Sequence, residues 1–206
     1  MDPAQASAFL RRIREIRERS RLMHNDLILR FAQAAKKVGC QIAEVQYFQA
    51  VGRYVADLAR LKGAKLIQAS SHDLVERLGL RSFLEGSEIV ASGPDPEGIL
   101  MADFGVSDAL IGIAETGSLL IHLDPVDPRL VTMLPPVHVA LLPREDLVES
   151  LEDGIAITRH LIIERFAQGK PSYISWITGP SRTGDIERVL TIGVHGPKEL
   201  HIVLIP

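Results

Sequence analysis

Apolar side chains recur along the first forty residues at Phe9, Ile13, Ile16, Met23, Leu27, Phe31, Ala34 and Val38. Steps of three, four and seven mark one face of a helix. The pattern predicts a long helix over residues 2–38, with Asp2 as N-cap, Pro3 in the first helical position, Gln5 completing a capping box and Gly39 ending the run. The opposite face carries Arg11, Arg12, Arg14, Arg17, Arg19 and Arg21, with Glu15 and Glu18 among them. Such a face either binds a phosphate or a partner, or is solvated with Glu15 and Glu18 bridging to Arg19 and Arg21. No aromatic residues interleave for base stacking, which favours the solvated face.

Beyond Gly39 the pattern alternates. A strand at 40–46 precedes a helix at 49–62, and a strand at 64–69 precedes a short helix at 72–78. Strand–helix alternation predicts a mainly parallel sheet covered by helices. Residues 85–98, with Gly86, Gly93, Pro94, Pro96 and Gly98, read as a surface loop. Two β-rich runs, 108–115 and 117–123, flank a turn at Glu115-Thr116-Gly117-Ser118 and read as a hairpin or as consecutive short strands. A strand at 137–142, a helix at 145–167 with a break near Gly154, a strand at 173–178, a helix at 184–190 and a strand at 200–205 complete the expectation. The fold class is α/β: a single three-layer domain over 39–206, with the helical segment 1–38 packed on it.

Composition narrows the function classes. The 206 residues are 46% hydrophobic and carry a net charge of −3, which suits one substantial core and argues against broad attraction to nucleic acid. No apolar run approaches the ~20 residues of a membrane helix, and the first residues lack the apolar core of a signal peptide. A cytoplasmic location is expected. Cys40 is the single cysteine, whereas an iron–sulfur cluster typically needs four protein ligands. Within an apolar strand, Cys40 reads as a core residue.

Three places carry candidate chemistry. The turn Thr178-Gly179-Pro180-Ser181-Arg182-Thr183 follows an apolar strand and opens the predicted helix at 184. A helix N-terminus there would aim backbone N–H groups at an anion, with Ser181, Arg182 and Thr183 adding donors. Equally, Thr183 or Asp185 would merely cap the helix, with Arg182 in solvent. At the second turn, Glu115 would serve as base or nucleophile at a sheet end, with Thr116, Gly117 and Ser118 as donors to an oxyanion. The plainer reading is a tight hairpin with Glu115 in solvent. Among the histidines, His195 lies between turn glycines where an imidazole is exposed, while His138 and His201 fall inside apolar strands and read as hydrogen-bonded core residues. His122 with Asp124 and Asp127 suggests a metal, but Asp124-Pro125 and Asp127-Pro128 are turn formers and no histidine pair has i, i+4 spacing. No metal is expected. No P-loop, dinucleotide fingerprint or nucleophile elbow occurs.

Three blocks taken in order resemble the lactate-utilisation protein C family, the LUD domain. They are Phe104-Gly105-Val106-Ser107-Asp108 through Glu115-Thr116-Gly117-Ser118; Leu134-Pro135-Pro136-Val137-His138 with Pro143-Arg144-Glu145; and Gly179-Pro180-Ser181-Arg182-Thr183-Gly184-Asp185-Ile186-Glu187 continued by Gly193-Val194-His195-Gly196-Pro197-Lys198. The resemblance implies a fold like ribose-5-phosphate isomerase, glucosamine-6-phosphate deaminase and the CoA transferases. It also implies a role in oxidising L-lactate to pyruvate beside iron–sulfur partner proteins, which would hold the clusters that a one-cysteine chain cannot. A small organic or phosphate anion would bind at Gly179, Ser181, Arg182 and Thr183, faced by Glu115, Thr116, Gly117 and Ser118, with His195 nearby. The alternative is a stand-alone enzyme on a small phosphorylated or CoA-linked substrate, with Glu115 as nucleophile or base.

Overall fold

A computed structural model describes residues 3–93, 95, 97–122, 126–169, 173–183 and 191–206. The elements in chain order are α1 (Pro3–Leu22), α2 (His24–Lys37), β1 (Gln41–Glu44), α3 (Gln49–Leu61), β2 (Leu66–Ala69), α4 (Asp73–Leu78), α5 (Leu80–Phe83), β3 (Val90–Ser92), β4 (Phe104–Asp108), β5 (Ile111–Ile113), β6 (Ser118–His122), α6 (Val126–Met133), β7 (Val137–Pro143), β8 (Leu147–Val148), α7 (Leu151–Ala167), β9 (Ile174–Ile177), β10 (Arg182–Thr183), β11 (Thr191–Ile192) and β12 (Glu199–Ile205). Six strands form a sheet in the order β1-β12-β7-β4-β2-β3, and the pairings within it are parallel among the described residues. A second sheet runs β8-β5-β6-β9, and β10 with β11 forms a small antiparallel ribbon.

The central strands explain why their sequences read as unbroken apolar runs: both faces are covered. In β7, Val139 and Leu141 join Val51, Val55 and Ala59 of α3 in one core. Ala140 and Leu142, on the other side of the pleat, join Leu27, Phe31 and Ala35 of α2. The second sheet packs behind α2 through Leu119 and Ile121. Its outer side meets Ile16 of α1 and Ala156 and Ile157 of α7. Among the described residues no helix is long and apolar enough to cross a membrane.

The structure departs from the sequence pattern in four places. The N-terminal helix is two helices, interrupted at Met23 (φ −98°, ψ 12°). The apolar positions serve two different cores, α2 inserting between the sheets and α1 lying outside the second, so one rod cannot reach both. The arginine-rich face of α1 is docked. Arg12 pairs with Glu152, Arg17 with Asp146, and Arg19 with Glu149 and Asp153. Asp146 and the carboxylates at the start of α7, rather than Glu15 and Glu18, take these arginines among the described residues, and Glu149, Glu152 and Asp153 also complement that helix's dipole. The expected loop 85–98 contains β3, an edge strand three residues long whose glycine- and proline-rich flanks hid it. No break occurs at Gly154, which continues α7 in close contact with Ile113 and Trp176.

Candidate functional site

The two turns singled out from sequence do meet, in part. Thr116 Oγ1 lies 2.7 Å from Ser118 Oγ, which in turn lies 2.7 Å from Thr178 Oγ1. Glycine is required on both sides of this hydroxyl chain. Gly117 has φ +68°, and a Cβ there would sit 2.3 Å from the Ala35 backbone nitrogen. Gly179 has φ +82°, and its Cβ would sit 2.4 Å from the Val38 carbonyl oxygen. Thr116, Gly117, Ser118 and Gly179 therefore seat the turns against the end of α2.

The remaining residues turn elsewhere. Glu115 is exposed, and its carboxylate accepts a 2.8 Å bond from the backbone N–H of Leu151, the first residue of α7. Arg182 donates from Nη2 to the Val38 carbonyl at 2.7 Å, closing the C-terminal end of α2. Ser181 exchanges backbone bonds with Pro197 and Gly193. His195 lines a separate hollow of about 510 Å³ with Met133, Pro136 and Lys198. Arg182 and Thr183 form β10 and pair with Ile192 and Thr191, so they begin a ribbon where the sequence suggested a helix start. The expected helix at 184–190, with Asp185, lies outside the described residues, as does Asp124. The Arg182 turn sits at the amino ends of the parallel strands: Val38 precedes β1, and Pro136 and Lys198 precede β7 and β12.

Open α/β sheets place ligands at the opposite, carboxyl ends. There a cleft of about 880 Å³ opens. Its floor is made by residues that end or follow β2, β4 and β7: Ser71 and His72, Asp108 to Leu110, and Pro143. His72 Nδ1 and Asp108 Oδ1 are hydrogen-bonded at 2.5 Å, with side chains 19% and 18% exposed. An ionised carboxylate only accepts, so Nδ1 carries the hydrogen, and the imidazole is held in one orientation, as in acid–base sites. The His122 ring stacks on His72 with centroids 6.0 Å apart. Arg17, Arg77 and Arg165 line the walls with Asp108 and Asp146. Arg17 is paired with Asp146 at 2.9 Å. Arg77 is exposed, rests over the Phe48 ring at 5.6 Å and has no ion pair among the described residues. Arg77 thus gives the cleft a guanidinium with no ion pair among the described residues, and such a group suits an anion.

The other buried titratable groups are structural. His138 is buried and lies 2.9 Å from Ser107 Oγ, and burial pushes its pKa down to about 3. His201 is held by Tyr54 and Glu199, and burial lowers its pKa. Both are core histidines, as their apolar strands predict. Burial pushes the Cys40 thiol up to about 11, which fits its core reading.

Sequence reasoning missed His72 and Asp108. It took Ala109–Ile113 as the strand leading into the site, whereas β4 ends at Asp108 and β5 belongs to the second sheet. The usable signal was position at the carboxyl end of an apolar run: Asp108 closes the run that begins at Phe104, and His72 follows Leu66–Ala69 after two serines.

Fold and cleft together define an α/β domain with an anion-suited cleft at the carboxyl ends of parallel strands. Residues 28–205 match the LUD domain, and the chain belongs to that family. It is 36% identical over 103 residues to the uncharacterized protein NMB1437 of Neisseria meningitidis, a match covering 50% of this chain and 42% of that one. It is 32% identical over 148 residues to lactate utilization protein C of Anoxybacillus flavithermus, covering 69% and 64%. The protein of that name from Bacillus subtilis is 33% identical over 104 residues, covering 50% and 42%. The chain thus matches about two-fifths to two-thirds of the length of these relatives. A DUF162 family protein from Deinococcus radiodurans has the same fold, with a TM-score of 0.61 at 14% identity over 89% of this chain and 98% of that one.

Proposed function

We propose that this chain serves lactate utilisation by binding a small carboxylate, lactate or pyruvate, in the cleft at the carboxyl ends of β2, β4 and β7. The relatives named lactate utilization protein C support the pathway. The observation that carries the ligand class is Arg77, an exposed guanidinium with no ion pair among the described residues, on the wall of the same cleft as the Asp108-held imidazole of His72. A guanidinium binds a carboxylate in a two-pronged fork, and a fixed imidazole beside it can exchange a proton with a 2-hydroxyl or 2-oxo group. In the reading that the family resemblance implies, electrons leave lactate to iron–sulfur partner proteins, and the single cysteine of this chain would leave the cluster ligands to them. Calorimetry with L-lactate and pyruvate tests the site: Arg77→Gln weakens binding at least tenfold while the melting temperature stays unchanged. Equal affinity in the variant would overturn it. Capture of cysteine-rich, iron-containing subunits by the tagged chain tests the partners, and their absence from the captured material counts against that part of the reading.

A further inference from the structure

Beside the cleft lies a second hollow of about 340 Å³, between the carboxyl ends of β2 and β3, and the two share Ser71. Its wall is largely apolar, with Val75, Leu80 and Ala91 all buried. One group on that wall is unsatisfied. Ser70 is 3% exposed, and its hydroxyl has no hydrogen-bond partner among the described residues. Its neighbours are served: Gln68 donates to Ser92 Oγ at 2.7 Å and accepts from the Asp95 N–H at 3.1 Å. A buried hydroxyl without a partner is costly, and a bound group that pairs with it recovers that cost. The volume points the same way, since clefts of roughly 300–1,000 Å³ take ligands much larger than a three-carbon acid.

We propose that this hollow receives the tail of the acid whose carboxylate sits in the cleft. The preferred ligand class is then a 2-hydroxy or 2-oxo acid with an aliphatic side chain several carbons longer than the methyl group of lactate, ending in a polar atom that pairs with Ser70. The inference rests on the cleft reading above and adds the length and chemistry of the side chain.

Gly93 supplies a clean test. It lines the hollow, and a Cβ there meets nothing within 4 Å among the described residues, so a large side chain blocks the mouth without disturbing the core. Calorimetry on the full chain would compare L-lactate with 2,6-dihydroxyhexanoate. Each buried methylene is worth about fourfold in affinity, so the longer acid binds wild type at least tenfold more tightly. Gly93→Phe brings it down to the level of lactate and leaves lactate unchanged. Ser70→Ala weakens the longer acid about fivefold and lactate not at all. Lactate bound as tightly as the longer acid overturns the hollow as a subsite while the cleft stands. So does a preference that survives in Gly93→Phe or is unmoved in Ser70→Ala. Binding of neither acid overturns both.

Discussion

At the amino ends of the parallel strands, the polar groups of the two turns are largely consumed by the chain itself. Arg182 closes α2 on the Val38 carbonyl, Ser118 bonds Thr178, and Ser181 is stitched to Gly193 and Pro197. At the carboxyl ends, His72 is held by Asp108, while Arg77 has no ion pair among the described residues and faces open space. Both regions contain arginines, hydroxyls and turns of the kind that bind anions. The difference is whether the fold spends those groups on its own backbone. A donor already committed to a helix end has less to offer a ligand than one held at the rim of an open cleft.

That contrast predicts stability effects at one end and binding effects at the other. The largest is at the amino-end turns: Gly117→Val costs about 3 kcal/mol, because a positive-φ position gains a Cβ against the α2 backbone. Urea unfolding measures this, and a loss below 1 kcal/mol would show that the turn yields. At the other end, Asp108→Asn leaves His72 without its carboxylate, so lactate binding falls about tenfold while unfolding shifts by only about 1 kcal/mol. A variant with intact binding would remove His72 from the site. The smallest effect is expected of Arg182→Ala, which loses one bond to the end of α2 and costs about 0.5–1 kcal/mol with ligand affinity unchanged. Lost affinity in that variant would move the anion site to the amino ends.

Acid sensitivity separates the structural histidines from the cleft. His138 has its folded pKa pushed below the usual value of 6.5 to about 3 by burial, and His201 shifts in the same direction. The unfolded chain then binds more protons, so the stability these residues contribute is present above about pH 6.5 and is lost as pH falls toward 3. Stability measured from pH 7 to 4 declines in wild type and declines less in His138→Gln. Equal slopes would show that His138 is already charged in the folded protein.

Much of the fold was legible because it depends on local periodicity. The alternation after Gly39, the hairpin around Glu115-Thr116-Gly117-Ser118 and the core placement of Cys40, His138 and His201 follow from apolar spacing. The site was less legible. Residues 111–113 are as apolar as a central parallel strand, yet they pair with β6 and β8 in the second sheet. Reading 109–113 as the strand that leads into the site placed the expected chemistry at Glu115, whose carboxylate meets α7, while Asp108 at the end of β4 lines the cleft. The arginines of α1 misled for a related reason, since their partners are more than a hundred residues away, at 146–153.

By itself the sequence determined the α/β class, the apolar strands, the turn glycines and the lack of cysteines for a cluster. These are properties of residue type and short-range spacing, which act before any two distant segments meet. Only the tertiary structure decided which strand ends share an edge, which arginines are neutralised and which hydroxyl is left without a partner among the described residues. Those outcomes depend on contacts between distant segments, such as His72 with Asp108 and Arg182 with Val38, and on which donors the fold spends in making them.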